Sequence, residues 1–377
     1  MTMRIIIAKF SAWSYEDYKK SEHPEYVAIR NIVEKHPEHR FILIGDGHES
    51  RHFTQEGIEF YNIYSKGKSG YFLSSLLKLE LAILLKPSVT VVMGNVNVIP
   101  FGLETALTRT KLIPVITGEI GYSMQSVPNP IRATMRCLLK ATLRRSKTIL
   151  TLSKSIQREL VSGCGIDPKK IIVYKYRISE AFSPTVSKNL KATLNPNGPV
   201  VLTLCRISKE KGLEYLIEAT RQIVERMPNV KVIIKGSTQD PKYKQKLTNL
   251  VHEYKLDGNI AFLGFSPYSE VPKFLAASDV FVLPSISEGL GLVIMEAMAS
   301  GVPVVASRVG GVPDILTDGF NGLMVDPAKP ALLADALLRL LGDAELRGRL
   351  IEKGFETIRR VEENDIERLL NQFMFQE

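Results

Sequence analysis

Two glutamates, Glu288 and Glu296, stand eight residues apart in the segment Ser285-Ile-Ser-Glu288-Gly289-Leu290-Gly291-Leu292-Val-Ile-Met-Glu296. A strand-like run, 280–283, precedes them, and a helical pattern opens near Leu292. On a helical rise of 1.5 Å per residue, eight residues span about 12 Å at most. That is roughly the length of ribose, diphosphate and hexose in an extended nucleotide sugar. Carboxylates accept hydrogen bonds from vicinal hydroxyls, so one at each end could hold a polyol. Between them, a glycine-flanked helix start offers backbone N–H groups to the diphosphate. A solvated amphipathic helix would also carry such a pair. The two glycines and the strand before them favour a ligand site.

A second cluster is Leu204-Cys-Arg206-Ile-Ser-Lys209-Glu-Lys211-Gly212, again between a strand and a helix pattern. Arginine forks onto phosphate and lysine adds a point charge. Cations at a helix N-terminus oppose the macrodipole unless an anion sits there, which argues against a merely solvated helix start. The chain contains no Asp-x-Asp pair. A metal-held diphosphate of that kind lacks its ligands, no metal site is expected, and Arg206 and Lys211 would supply the positive charge. A third element, Val309-Gly310-Gly311-Val-Pro313-Asp314, fits close approach to a ligand and an ordinary turn equally well.

The elements that must position these residues alternate. Apolar β-branched runs at 5–8, 41–44, 89–93, 115–117, 148–152 and 171–174 read as strands, with helical patterns at 26–35, 72–85, 132–143 and 155–161 between them. The pattern restarts with strands at 200–204, 230–234, 260–263, 280–283 and 302–306 and helices at 213–226, 243–254, 271–276, 292–299 and 331–341. Such alternation predicts parallel sheets covered on both faces. The expected class is α/β, with two Rossmann-like doubly wound domains facing across a cleft. An N-terminal domain would cover 1–184, a polar Pro-rich linker 185–198 and a second domain, which carries the candidate nucleotide-sugar site, 199–355; the family resemblance given next implies that the first is the acceptor side. The last stretch, 345–375, is a long charged helical pattern, with a C-terminal helix expected over 356–377, which the same resemblance implies returns to the first domain.

With these residues in view, the chain resembles the retaining, nucleotide-sugar-dependent glycosyltransferases of family 4 (glycosyl transferases group 1), which have the GT-B fold. The resemblance runs nearly continuously from Val200 to Asp326. It includes Asn259-Ile-Ala-Phe-Leu-Gly264-Phe265, Ala277-Ser-Asp279-Val-Phe-Val-Leu-Pro284, the Glu288/Glu296 pair and Asp318-Gly319-Phe-Asn-Gly322. It implies that Glu296 binds ribose hydroxyls and that Glu288 faces the transferred sugar. Arg206 and Lys211 would neutralise the leaving diphosphate. Gly289, Leu290, Gly291, Leu292 and Phe265 would complete the donor site. Retention of configuration is implied by the resemblance alone.

The first domain is similar only loosely. Lys9-Phe-Ser-Ala-Trp13 stands where the family often has a glycine pair, and Thr117-Gly118-Glu119 where it often has Thr-x-His. Lys175-Tyr-Arg-Ile178 fills the slot of an Asn-Gly-Val-Asp run. Glu119, beside Gly118, could orient an acceptor hydroxyl or simply cap the turn at Gly121.

Composition bounds the rest. Apolar residues make up 45% and charged residues 24% of 377, which excludes disordered and collagen-like chains. Three cysteines without paired spacing imply neither a disulfide framework nor a zinc site and suit a reducing cytoplasm. No uncharged apolar window is long enough for a transmembrane helix; the nearest carries Lys78 and Glu80. The net charge of +9 is concentrated. Residues 105–190 hold 15 basic against 4 acidic side chains, and Arg132, Arg136, Lys140 and Arg144 recur at i, i+4. This fits an anionic membrane surface or a solvated helix face. No nucleic-acid-binding signature accompanies the charge, and none is expected as partner.

The expected activity is therefore hexosyl transfer from a UDP- or GDP-linked sugar to an acceptor hydroxyl, in glycolipid, polysaccharide or other glycoconjugate biosynthesis, without a cofactor. The acceptor could be lipid-linked and the enzyme cytoplasmic, at the membrane face. A nucleotide-sugar epimerase and a non-catalytic sugar-nucleotide sensor at the membrane are the competing readings.

Overall fold

A computed structural model describes residues 2–9, 24–47, 50–64, 67–95, 98–120, 129–184, 189–238, 240–359 and 365–375. The chain divides into two compact units, Met1–Tyr176 with Asn364–Glu377, and Arg177–Glu363. The first unit runs β1 (Arg4–Ala8), α1 (Pro24–Lys35), β2 (Arg40–Gly47), β3 (Arg51–Gln55), β4 (Ile58–Tyr64), α2 (Gly67–Leu85) and β5 (Val89–Met93). It continues through α3 (Val98–Thr108), β6 (Lys111–Ile116), α4 (Asn129–Arg145), β7 (Ile149–Thr151), α5 (Lys154–Cys164) and β8 (Ile171–Val173). Among the described residues its sheet has the order β3-β4-β2-β1-β5-β6-β7-β8. Ile5, Ile6, Val91, Val115 and Ile149 are fully buried at its centre. Their continuous apolar runs are what a parallel sheet covered on both faces requires.

Three first-unit elements, β3, β4 and α3, differ from the sequence expectation. β3 and β4 form an antiparallel hairpin around Glu56-Gly57, with Gln55 opposite Ile58. β3 is exposed along nearly its whole length, so it carries no apolar signal. α3 contains Pro100 and Gly102, which read as breakers. Pro100 falls in the first turn, where the missing N–H costs no intrahelical bond. Lys78, which interrupts the apolar run of α2, is buried and donates to Asp46 Oδ2 at 2.5 Å. Burial pushes its ammonium below the usual lysine range, and Asp46 opposes that push.

The second unit holds α6 (Asn189–Leu194), β9 (Val200–Leu204), α7 (Leu213–Arg226), β10 (Lys231–Lys235), α8 (Pro241–Glu253), β11 (Ile260–Leu263), α9 (Val271–Ala276) and β12 (Val280–Leu283). Then follow α10 (Leu292–Ala299), β13 (Val304–Ser307), β14 (Leu323–Val325), α11 (Pro330–Gly342) and α12 (Ala344–Arg359). All pairings in its sheet are parallel, in the order β11-β10-β9-β12-β13-β14. α7 buries Leu213, Leu216, Ile217, Thr220 and Ile223 on one face, the i, i+3, i+4, i+7 stripe of a helix packed on a sheet.

The expected domain boundaries shift. The second unit starts at Arg177, and the stretch expected as a linker belongs to it, residues 185–188 lying outside the described ones. Lys191 of α6 pairs with Asp279 at 2.6 Å, and Asn195 donates to the carbonyls of Pro199 and Asn229. Polar side chains in that stretch thus find protein partners instead of water. The charged C-terminal pattern is two helices. α12 stays in the second unit to Arg359, and α13 (Ile366–Phe375) lies in the first. There Asn31 and Lys35 of α1 bond to Glu367, Ile366 N donates to Lys175 O, and Leu370 and Met374 are buried.

Candidate active site

In the second sheet, chain order reverses between β9 and β12. Ligands of open α/β sheets bind outside the carboxyl ends of the strands at such a switch point. The loops leaving those two strands carry the residues the sequence singles out. After β9, the turn Lys209–Lys211 is a single 3₁₀ turn, and Gly212 follows at φ +59°. A Cβ on Gly212 would stand 2.3 Å from the carbonyl oxygen of Pro284, so only glycine lets the two loops meet. Ile286 N donates to Glu210 O at 2.9 Å and closes the junction.

Glu288 sits where three loops converge. Its Oε1 accepts from Lys211 Nζ at 2.6 Å and from Ser285 Oγ at 2.7 Å. Its carbonyl accepts from Gly311 N, in the glycine pair after β13. The side chains of Lys211 and Glu288 are 13% and 10% exposed. Arg206 Nη2 lies 3.3 Å from Glu210 Oε1 and is about half exposed. The anion that the macrodipole argument demanded is therefore present as two protein carboxylates. A phosphate is not needed to balance the cations at this helix start. What remains available to a ligand is the exposed half of Arg206 and the rim of the Lys211–Glu288 pair.

α10 starts only at Leu292, so Glu288 lies in the loop and Glu296 in the second turn. The 12 Å span, which assumed helix throughout, does not apply to this pair. Gly291 caps the helix at φ +84° and its carbonyl accepts from Ile294 N at 2.9 Å, so the first-turn N–H groups without an intrahelical acceptor are those of Leu292 and Val293. Glu296 is buried and accepts from Tyr268 OH at 2.6 Å. Burial pushes its carboxyl up to about 7, and the Tyr268 hydrogen bond opposes that push. Tyr268 packs edge-on against Phe182, at 5.5 Å between ring centroids. Leu290 is buried, so it can offer a ligand only its backbone, whereas Phe265, after β11, is 75% exposed. Sequence reasoning missed Tyr268, 28 positions from Glu296, and Ser285 as a partner of Glu288; only the latter was readable, as a hydroxyl three residues away.

Residues 187–357 match the family described as glycosyl transferases group 1. Among curated relatives, an alpha-D-kanosaminyltransferase of Streptomyces kanamyceticus is 31% identical over 215 residues, covering 56% of this chain and 55% of that one. The chain thus spans about half the length of that relative. Sucrose-phosphate synthase of Thermosynechococcus elongatus superposes with a TM-score of 0.78 at 20% identity, over 99% of this chain and 97% of that one. Anabaena HepE, solved with UDP and glucose, does so with a TM-score of 0.78 at 19% identity, over 99% and 98%. These likenesses show the GT-B fold.

The group 1 match takes in all of Arg206, Lys211, Glu288 and Glu296 and stops short of the first unit. There, Gly118 N donates to Asn95 Oδ1 at 3.3 Å, and Asn95 Nδ2 donates to Glu119 O at 3.4 Å. Asn95 follows β5 and Gly118 follows β6, so one amide ties two strand ends together; sequence reasoning did not name it. Glu159 accepts from Ile120 N. Gly121, whose turn Glu119 was considered to cap, and Phe10–Trp13 lie outside the described residues. Lys9 is buried and donates to Tyr26 OH at 2.5 Å. Among the described residues no helix is long and apolar enough to cross a membrane.

Proposed function

We propose that the protein is a retaining glycosyltransferase that moves a hexosyl unit from a nucleotide sugar to an acceptor hydroxyl. The observation that carries this reading is the placement of Glu288 and Glu296 on either side of the α10 start, at the switch point of the second sheet. Glu296 accepts hydrogen bonds from the ribose hydroxyls, and Glu288 faces the sugar. Arg206, Lys211 and the amides of Gly289 to Leu292 meet the diphosphate. In the reaction, the bond between the anomeric carbon and the diphosphate oxygen breaks, and that oxygen leaves with the electron pair. The acceptor oxygen bonds to the same carbon, and its proton passes to the departing diphosphate oxygen, directly or through water. Positive groups held ready for the leaving charge lower the barrier. Arg206 and Lys211 supply that charge without a metal. UDP is the favoured nucleotide, since HepE, of the same fold, was solved with UDP and glucose.

The acceptor side belongs to the first unit, with Glu119 and Gly118 as its candidate contacts. An anionic membrane carrying a lipid-linked acceptor is favoured by one further observation. On α4, Ile131, Arg136, Arg144 and Arg145 are exposed, and Leu103 and Leu107 are exposed on α3, which packs against α4. Cations beside apolar side chains suit a headgroup layer.

The test is product analysis with UDP- and GDP-sugars and hydroxyl acceptors, with and without EDTA. A new glycoside, formed equally well with chelator, is expected. An epimerised sugar nucleotide, or binding with no product from any pair, overturns the reading in favour of an epimerase or a sensor.

A further inference from the structure

The turn between α1 and β2 reads His36-Pro37-Glu38-His39. His36 Nδ1 lies 3.5 Å from Glu38 Oε1, and His39 Nε2 lies 3.5 Å from the same oxygen. The three ligating atoms fall within 4.8 Å of one another. A good N–H···O bond is about 2.7–3.2 Å long, so these contacts are stretched as hydrogen bonds. Donors on a tetrahedral zinc ion, at about 2.0–2.2 Å from the metal, lie about 3.3–3.6 Å from one another. Both nitrogen-to-carboxylate separations fall in that range.

The imidazoles are held from behind. His36 Nε2 meets Asn371 Oδ1 at 3.0 Å. An amide oxygen only accepts, so this nitrogen carries the proton and Nδ1 turns its lone pair toward Glu38. Phe375 stacks on His36 at 3.8 Å and on His39 at 5.1 Å between centroids. His39 Nδ1 is buried with no hydrogen-bond partner, which leaves Nε2 as the polar end of that ring in use. The cluster also closes the last turn of α1, whose carbonyl end favours a cation.

We infer that His36, Glu38 and His39 bind one zinc ion, with water in the fourth position and Asn371 orienting His36. Two imidazoles and a carboxylate are an ordinary donor set for this metal. The carbonyl or amide oxygen behind a ligating histidine is the usual device that fixes its tautomer. Asn371 and Phe375 belong to α13, so the ion ties the final helix to the turn after α1.

The test is calorimetric titration of the full chain with zinc chloride. One ion per chain is expected in the tightest class. Glu38→Gln, at a side chain more than half exposed, should remove that class without disturbing the fold. Asn371→Leu should weaken it about 10–100-fold, the usual effect of losing such a partner. Circular dichroism establishes that each variant is folded. Zinc should also slow amide exchange across Ile366–Phe375. The absence of one-to-one binding, or an isotherm that Glu38→Gln leaves unchanged, overturns the assignment.

Discussion

Replacing Glu296 by glutamine should stabilise the second unit while weakening nucleotide binding. Glu296 is 5% exposed, and burial raises its carboxyl from the ordinary 4.5 to about 7. At about 1.4 kcal/mol for each tenfold change in proton affinity, this places about 3 kcal/mol on its ionisation in the folded state. The sign follows from proton counting. Between pH 4.5 and about 7 the unfolded chain has already released this proton and the folded chain retains it. Stability contributed by the protonated form is therefore complete below pH 4.5 and is lost as pH rises through about 7. Glutamine keeps an oxygen for the Tyr268 hydroxyl and never ionises. At pH 8 the variant should exceed the parent by about 3 kcal/mol, or roughly 6–12 °C in the melting temperature of a unit of this size. At pH 4 the two should melt together. Scanning calorimetry at both pH values reads the difference, and UDP titration at pH 8 should show weaker binding by the variant. Equal melting temperatures at pH 8 would refute the account of Glu296 as a carboxylate kept buried against its own solvation for the sake of a ligand.

Arg206→Ala should lower kcat/KM for transfer at least tenfold, because hydrogen bonds to charged groups contribute about 1.5–3 kcal/mol; its half-exposed side chain predicts little change in melting temperature, so a parental rate counts against the role. Lys78→Met should cost about 3–5 kcal/mol, since Asp46 would be left charged and buried without its partner, and urea unfolding of the first unit measures it. Changing Arg132, Arg136, Lys140 and Arg144 to glutamine should release the chain from anionic vesicles in flotation, with UDP binding unchanged, because basic residues near such a surface contribute about 1 kcal/mol each. Equal recovery on neutral and anionic lipid would make α4 a solvated face.

The α/β class and most elements were legible in the sequence, because fully buried parallel strands must be continuous apolar runs and helices between them must carry a 3.6-residue stripe. The sequence also named Glu288, Arg206 and Lys211, since each lies in a short segment between a strand and a helix, where chemistry and turn residues are contiguous, and Glu296 in the helix that directly follows. It could not see β3, whose residues face water on both sides, or the helix over 98–108, whose proline and glycine read as breaks. What each charged group faces depends on how distant segments pack. Lys211 meets Glu288 across 77 positions, and Glu296 meets Tyr268 across 28. The spacing His36-x-Glu38-His39 is visible in the chain, but its support comes from Asn371, 335 positions away. Local patterning records how a residue solves its own burial. Its partner is set by the order in which strands and helices assemble, and that order is a property of the whole chain.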